Sequence, residues 1–418
     1  MLSLTKILVW LSGLLYFVNA GYFVQLKTPT TFEALLKKDD KVKALRHIRP
    51  LIKKAFSFEG FEGFAGDFDS DILARLANNP LVAEITPDIN INVFDNYNVQ
   101  HDAPRHLVRL SQREKIPFHP EENNYYYPSE YQGEEVTAYV IDTGINCAHP
   151  EFENRCENGG DFTGEGPGDR NGHGTHVAGI VGSKTYGVAK MINLIEVKAL
   201  DKSGSGTLTS IIAGVEYAVK HRRENEIEAA VMNLSVGSFK NVVLNKAIEA
   251  AVASGFVVIA AAGNSNSDAC NTSPASAKSA ITVGAIDDKT DHLASFSNWG
   301  RCVDILASGV KIASVNSKDF NGKPLHLSGT SMAAPIITGL AALYLSSGLP
   351  NDEIKERLKM TSTSGAISRL SFILKPMTPN RLAYLPYYDL TSDFIEPYFS
   401  NYTESSVEKG KSMPVLIL

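Results

Sequence analysis

Val136-Thr137-Ala138-Tyr139-Val140-Ile141 is a continuous apolar, β-branched run that ends on Asp142-Thr143-Gly144. A strand with one wet face alternates polar and apolar residues. An unbroken run predicts a strand buried on both faces, here over Val136–Ile141. Working outward, Ile192 to Ala199 reads as a second such strand. Thr207 to Lys220 has helical periodicity, with Ile211, Ile212, Val215 and Val219 on one side. Val231 to Val236 reads as a strand, Asn241 to Ala253 as a helix, and Phe256 to Ala261 and Ala280 to Ala285 as further strands. The alternation runs from about Gln100 to Tyr384. It predicts an α/β fold: a mainly parallel sheet covered by helices on both faces.

Ahead of this domain, Gly21 to about Asp95 forms a small α+β module. It reads as strand Tyr22–Leu26, helix Lys41–Phe56, strand Phe58–Gly66, helix Ser70–Asn78 and strand Val82–Pro87. Phe58, Phe61 and Phe64, interleaved with glycines, are assigned to its core. The basic run Lys37 to Lys54 is read as a solvated helix face. Residues 1–20 read as a signal peptide: Lys6, then Ile7–Val18, apolar but too short to cross a bilayer, then small residues at Val18-Asn19-Ala20. An uncleaved anchor is the rival reading. Asp389–Leu418 shows no clear periodicity and is expected to be a loosely ordered or surface-packed tail.

The 418 residues suffice for one large domain and a smaller one. A hydrophobic fraction of 44% and a net charge of -6 suit a soluble enzyme and give no ground for nucleic-acid binding. No stretch after the signal peptide is long and apolar enough to span a membrane. Cys147, Cys156, Cys270 and Cys302 allow three full pairings. None forms a CxxC or Cys/His cluster, so no zinc site is expected.

Three motifs carry chemistry. Asp142 lies at the carboxyl end of the first buried strand, where open α/β sheets build their sites. Asn171-Gly172-His173-Gly174-Thr175-His176 precedes an apolar run that suggests a helix starting at His176. The glycines beside His173 let backbone approach the ring, and His176 is read as structural. Ser328-Gly329-Thr330-Ser331-Met332-Ala333-Ala334-Pro335 leads into the apolar helix Ile336–Leu345. Ser331 then stands at a helix N-terminus, which favours developing negative charge. Pro335 cannot bond the Ser331 carbonyl. Serine needs a base, His173, and the base needs an orienting acid, Asp142. Asn264, just past the strand ending at Ala261, is the candidate oxyanion donor, together with the Ser331 N–H. An aspartic protease is excluded, because no second Asp-Thr-Gly or Asp-Ser-Gly occurs.

These motifs, with Tyr186-Gly187-Val188-Ala189-Lys190, Val197-Lys198-Ala199-Leu200, Asp268 to Ser276 and Phe296 to Asp304, resemble the subtilase family. The likeness is to the proteinase K branch and its fungal cerevisin, or vacuolar proteinase B, group. Ala103-Pro104-Arg105-His106-Leu107 and Lys375 to Asn380 resemble a sporulation-associated yeast branch of that group. The resemblance implies a serine endopeptidase made as a zymogen. Residues 21–97 would be a ferredoxin-like inhibitory propeptide, 98–386 the peptidase domain and 387–418 the tail. It implies one substrate-pairing edge at Ser203, Gly204, Ser205 and Gly206, and another at Ser235, Val236 and Gly237. The specificity pocket would lie between the second edge and Ala261, Ala262 and Gly263, with an apolar or aromatic preference.

It further implies a Cys270–Cys302 disulfide, which leaves Cys147 with Cys156, and self-cleavage near Tyr97 within Val93–Val99. No cofactor is required for chemistry. A structural calcium is possible at Asp304 and carbonyls near Lys278 and Ala280. The chain departs from the family at Ala334, where Ser or Thr is usual, at Ile336, where His is usual, and at Arg105-His106, in place of Trp-Gly. The sequons at Asn271 and Asn401 are candidates for glycosylation, while that at Asn233 is expected to be bare. The expected partners are a peptide or protein substrate and the chain's own propeptide, with no nucleic acid or membrane, in a monomer. The expected place is the secretory pathway: vacuole, cell or spore wall, or exterior. The rival functions are a pseudo-protease held by its propeptide and an esterase. The esterase reading lacks a GxSxG elbow.

Overall fold

Residues 21–30, 48–87, 97–117, 123–320 and 323–387 are described by the computed structural model. The expected signal peptide, Asn401 and the tail from residue 388 lie outside the described residues. The chain divides into two units, Met1–Phe94 and Asp95–Leu418.

The first unit contains β1 (Tyr22–Leu26), β2 (Ile52–Phe58), β3 (Phe61–Gly66), α1 (Ser70–Ala77) and β4 (Val82–Pro87). Its antiparallel sheet has the order β2-β3-β1-β4. The helix expected over Lys41–Phe56 is corrected at its end, because residues 52–58 are a strand; 41–47 lie outside the described residues. Pro50 opens a short 3-10 turn at Arg49–Leu51. The residues beyond it then pair with β3, from Ile52 opposite Gly66 to Phe58 opposite Phe61. Ladder hydrogen bonds along that edge outweigh the helical propensity of the lysines. The expected phenylalanine core is also corrected. Phe64 is fully buried with Val24, Leu26 and Leu76, but Phe58 is 61% exposed. Strand residues three apart point to opposite faces. Phe61 therefore meets Phe23 on the other face, with ring centres 6.0 Å apart. Asp69 caps α1 by accepting from the Ile72 N–H at 2.8 Å.

In the second unit a parallel core is built from β5 (Val136–Asp142), β6 (Cys156–Asp161), β7 (Asn193–Lys198), β8 (Ala229–Leu234), β9 (Val257–Ala261), β10 (Ile281–Asp287) and β11 (Ile305–Ser308). Their spatial order is β11-β10-β9-β8-β5-β7-β6, within a ten-stranded sheet. Each of these pairs is parallel. Every residue of β5 is buried. Val136, Ala138 and Val140 pack against α2 (His173–Gly182) and α5 (Thr330–Ser346). Tyr139 and Ile141 pack on the other side against α3 (Leu208–Glu224) and α4 (Val242–Ala253). This is the two-faced burial that an unbroken apolar strand requires. Thr207 and Ser210 form a capping box ahead of α3, and Asn241 caps α4. From β5 the chain passes to β6 at the sheet edge, returns to β7 between β6 and β5, and then crosses β5 to β8. The carboxyl end of β5 and β8 is therefore the topological switch point.

Of the expected processing junction, residues 93–96 lie outside the described residues. Tyr97–Gln100 is a strand paired antiparallel with Tyr125–Pro128. The disulfides are Cys147–Cys156 and Cys270–Cys302. At the family departures, Arg105 bonds the Asp288 carboxylate at 3.1 Å, and the buried His106 ring bonds the Tyr186 carbonyl at 3.0 Å.

Candidate active site

Asp142 ends β5 at the switch point. Its side chain is fully buried, and Oδ1 accepts from His173 Nδ1 and from the Thr143 N–H, both at 2.7 Å. His173 opens α2. The helix thus starts about one turn before the expected His176, because Gly174 belongs to its first turn and Gly172 to its cap. Gly172 caps it at φ +109°, a left-handed conformation that a side chain resists. A Cβ on Gly174 would collide with the Gly144 carbonyl, so only glycine lets α2 and the end of β5 approach this closely. The His173 side chain keeps 27% exposure. Burial works to lower its pKa. The Asp142 charge and hydrogen bond, with the Asp169 charge behind them, outweigh that and raise it above the ordinary value.

Asp169 is a site residue that the sequence reading missed. Its Oδ1 accepts from Thr143 Oγ1 at 2.9 Å and from the N–H groups of Asn171 and Gly172. Its Oδ2 accepts from the Thr175 N–H and hydroxyl. Thr143 Oγ1 in turn accepts the Gly174 N–H at 2.9 Å. The signal was available: a carboxylate just ahead of a glycine-rich helix start can turn that loop by itself. Beneath Thr143, the fully buried Lys198 donates from Nζ to the Thr143 carbonyl at 2.6 Å and pairs with Glu165 at 3.4 Å. His176, on the same helix, is buried. Its Nε2 faces the carbonyls of Ile312 and Leu325, each at 3.0 Å. Burial pushes its pKa down to about 4, so it is a neutral structural group.

Ser331 lies in the first turn of α5. Pro335 leaves the Ser331 carbonyl without a helical partner, and that carbonyl accepts from Ser235 Oγ at 2.9 Å. The Ser331 hydroxyl donates to the Ser235 carbonyl at 3.1 Å. Asn264 is held by its oxygen: Oδ1 accepts from the Thr330 N–H at 2.8 Å and from Thr330 Oγ1 at 2.9 Å. Thr330 Oγ1 accepts the Gly263 N–H at 3.0 Å. Thr330 therefore fixes Asn264 and was not anticipated, because its bonds span long sequence separations.

Two cavities of about 610 and 570 Å³ share one wall, Ser235 to Ser238. His173 and Ser203, Gly204, Ser205 and Gly206 line the first. Ser331, Asn264, Ala261 and Gly263 line the second. Val236 and Gly237 belong to both. Ala262, expected as a wall residue, is fully buried and lines neither, because its side chain points away from the cleft between two neighbours that face it. Among the described residues no Asp or Glu lines either cavity.

The other expected residues lie elsewhere. Asp304 accepts the Thr282 N–H at 3.0 Å and pairs with the ammonium groups of Lys355, at 3.0 Å, and Lys359, at 3.6 Å. Asn271 is exposed beside the second cavity. Asn233 is fully buried and accepts from the Thr338 hydroxyl at 2.9 Å. Among the described residues no helix is long and apolar enough to cross a membrane.

The subtilase family profile matches residues 133–374, and the peptidase inhibitor I9 profile matches residues 22–93. The chain is 42% identical over 401 residues to subtilase-type proteinase RRT12 of Saccharomyces cerevisiae, covering 87% of this chain and 81% of that protein. It is 39% identical over 357 residues to cerevisin of the same yeast, covering 80% of this chain and 54% of that protein. A crystal structure of a cold-adapted subtilisin-like serine proteinase superposes with a TM-score of 0.60 and 41% identity, covering 68% of this chain and 98% of that one.

Proposed function

The chain belongs to the subtilase family, and from that premise we propose that Asp142, His173 and Ser331 form the catalytic triad of a broadly specific, self-processing endopeptidase. It is a subtilisin-like serine protease, and an inhibitor-type propeptide precedes its peptidase domain. Ser331 Oγ attacks the scissile carbonyl carbon while His173 Nε2 takes its proton. Asp142 keeps the proton on Nδ1 and stabilises the imidazolium. Asn264 Nδ2 and the Ser331 N–H receive the oxyanion. The imidazolium protonates the leaving amine as the C–N bond breaks, leaving an acyl-enzyme. Water, deprotonated by His173, then hydrolyses the ester and returns the proton to Ser331 Oγ. Side chains and backbone suffice for these steps.

One observation carries the reading. The Asp142–His173 pair, 2.7 Å apart, opens on the same wall to which Ser331 is hydrogen-bonded through Ser235. The edges Ser203–Gly206 and Ser235–Gly237 pair with an extended chain through backbone hydrogen bonds, which suits any unfolded protein. With no carboxylate among the described residues that line the second cavity, a Lys or Arg entering it would stay unpaired at a cost of several kcal/mol. Large apolar and aromatic residues are therefore favoured before the cut bond, with single methylenes worth about 1–3 kcal/mol. The chain matures in the secretory pathway, destined for the vacuole, the cell or spore wall, or the exterior. Self-cleavage falls next to the strand that begins at Tyr97, and the released propeptide end acts as the inhibitor.

The test expresses the chain with and without Ser331→Ala, sequences the N-terminus of each product and offers both a denatured protein and a mixed peptide library. Processing and digestion by the parent alone are expected. A Ser331→Ala protein that matures in pure form would assign the cut to another protease. A parent that never digests protein would favour the pseudo-protease, and a preference for Arg or Lys would discard the pocket.

A further inference from the structure

The family likeness would place a calcium ion between the Asp304 carboxylate and the carbonyls near Lys278 and Ala280. In this chain a side chain already fills that place. Lys355 Nζ, on α6 (Ile354–Thr361), lies 3.0 Å from Asp304 Oδ2, 2.7 Å from the Ala280 carbonyl oxygen and 3.2 Å from that of Lys278. An ammonium has three N–H donors and no acceptor, so these three oxygens use its whole donor set. We infer that Lys355 is the built-in cation of this site and that the chain does not take up calcium at Asp304.

Charge and ligand count support the inference. Lys359 lies 3.6 Å from Asp304 Oδ1 and donates to Glu356 Oε1 at 2.8 Å. Two ammonium groups thus face two carboxylates, and no spare negative charge remains for a divalent ion. Calcium takes six to eight oxygens at about 2.3–2.6 Å, usually several of them carboxylate. Here one carboxylate and two carbonyls converge, and they converge on nitrogen. Among the described residues no group of three or more His, Cys, Asp or Glu could hold a metal.

The lysine also joins segments that the cleft depends on. Residues 278–280 lead into β10, and Asp304 leads into β11. Cys302, just before Asp304, is bonded to Cys270 beside the cavity residues Asn271 and Thr272. A bound ion would brace this region by an amount that depends on its free concentration, whereas a side-chain cation braces it at any calcium level.

The test uses the full chain carrying Ser331→Ala to prevent self-digestion. Melting temperature is measured in chelator and in excess calcium for this parent, for added Asp304→Asn and for added Lys355→Met. The parent and the Asp304→Asn protein should show the same response to calcium. In chelator, Lys355→Met should melt roughly 2–6 °C below the parent. A calcium response in the parent that Asp304→Asn removes would put metal at Asp304 and overturn the inference. So would a Lys355→Met protein that melts with the parent in chelator. If Lys355→Met does not fold, the comparison of parent with Asp304→Asn still decides.

Discussion

The two sides of the cleft are held by different physics. On the His173 side the supports are charges: Asp142 on the ring, Asp169 behind it and the buried Lys198 under the Thr143 carbonyl. On the Ser331 side they are neutral dipoles: the Thr330 hydroxyl on Asn264, and Ser235 exchanging hydrogen bonds with Ser331. In the proposed reaction the base must change charge in every cycle, so fixed charge around it tunes its proton affinity. The oxyanion donors stay neutral and must only be aimed. The difference suggests that side-chain charge governs when this site reacts, and oriented dipoles govern how fast.

Four substitutions sharpen or break that contrast. Asp142→Asn removes the charge but keeps the shape, and should lower kcat by about 10⁴-fold by stabilising the wrong His173 tautomer. Single-turnover kinetics on a folded, peptide-binding variant would show it. On the neutral side Asn264→Ala should lower kcat by about 10²–10³-fold with KM nearly unchanged. A loss there exceeding that of Asp142→Asn would break the comparison. Thr330→Val keeps volume and the backbone N–H bond to Asn264 but removes the hydroxyl's bonds to Asn264 and to the Gly263 N–H, and should cost about three- to tenfold in kcat, the worth of one hydrogen bond. The smallest effect is on pH. In the proposed reaction the neutral form of His173 is the base, so kcat/KM should fall as pH drops through its pKa. That pKa is raised, so the acid limb should lie above the ordinary histidine value of about 6.5. Asp169→Asn should lower it by less than about one unit, and Asn264→Ala should leave it in place. An acid limb moved by Asn264→Ala would show that the two sides are not separable.

What could be read in advance follows from how local each signal is. β5 was legible because burial on both faces removes alternation, a property of the residues themselves. The Asp142, His173 and Ser331 motifs were legible because each sits at the end of an element. The strand at Ile52–Phe58 was not, since its lysines read as a helix face and its pairing with β3 is tertiary. The start of α2 was missed because Gly172 and Gly174 imitate a loop. Asp169, Thr330 and Lys355 act through bonds to residues remote in sequence. Ala262 was misjudged because an extended segment alternates its side chains.

The exchange between Ser235 and Ser331 has a mechanical consequence. Ser235 Oγ holds the carbonyl that Pro335 leaves open, and Ser331 Oγ rests on the Ser235 carbonyl. The proposed rail for a substrate chain and the atom that would cut it are thus bolted together at two points. A tug on one moves the other, and little play is left between them. If the proposed function holds, cutting register is set by this joint, not by the stiffness of the helices on the two faces of the sheet.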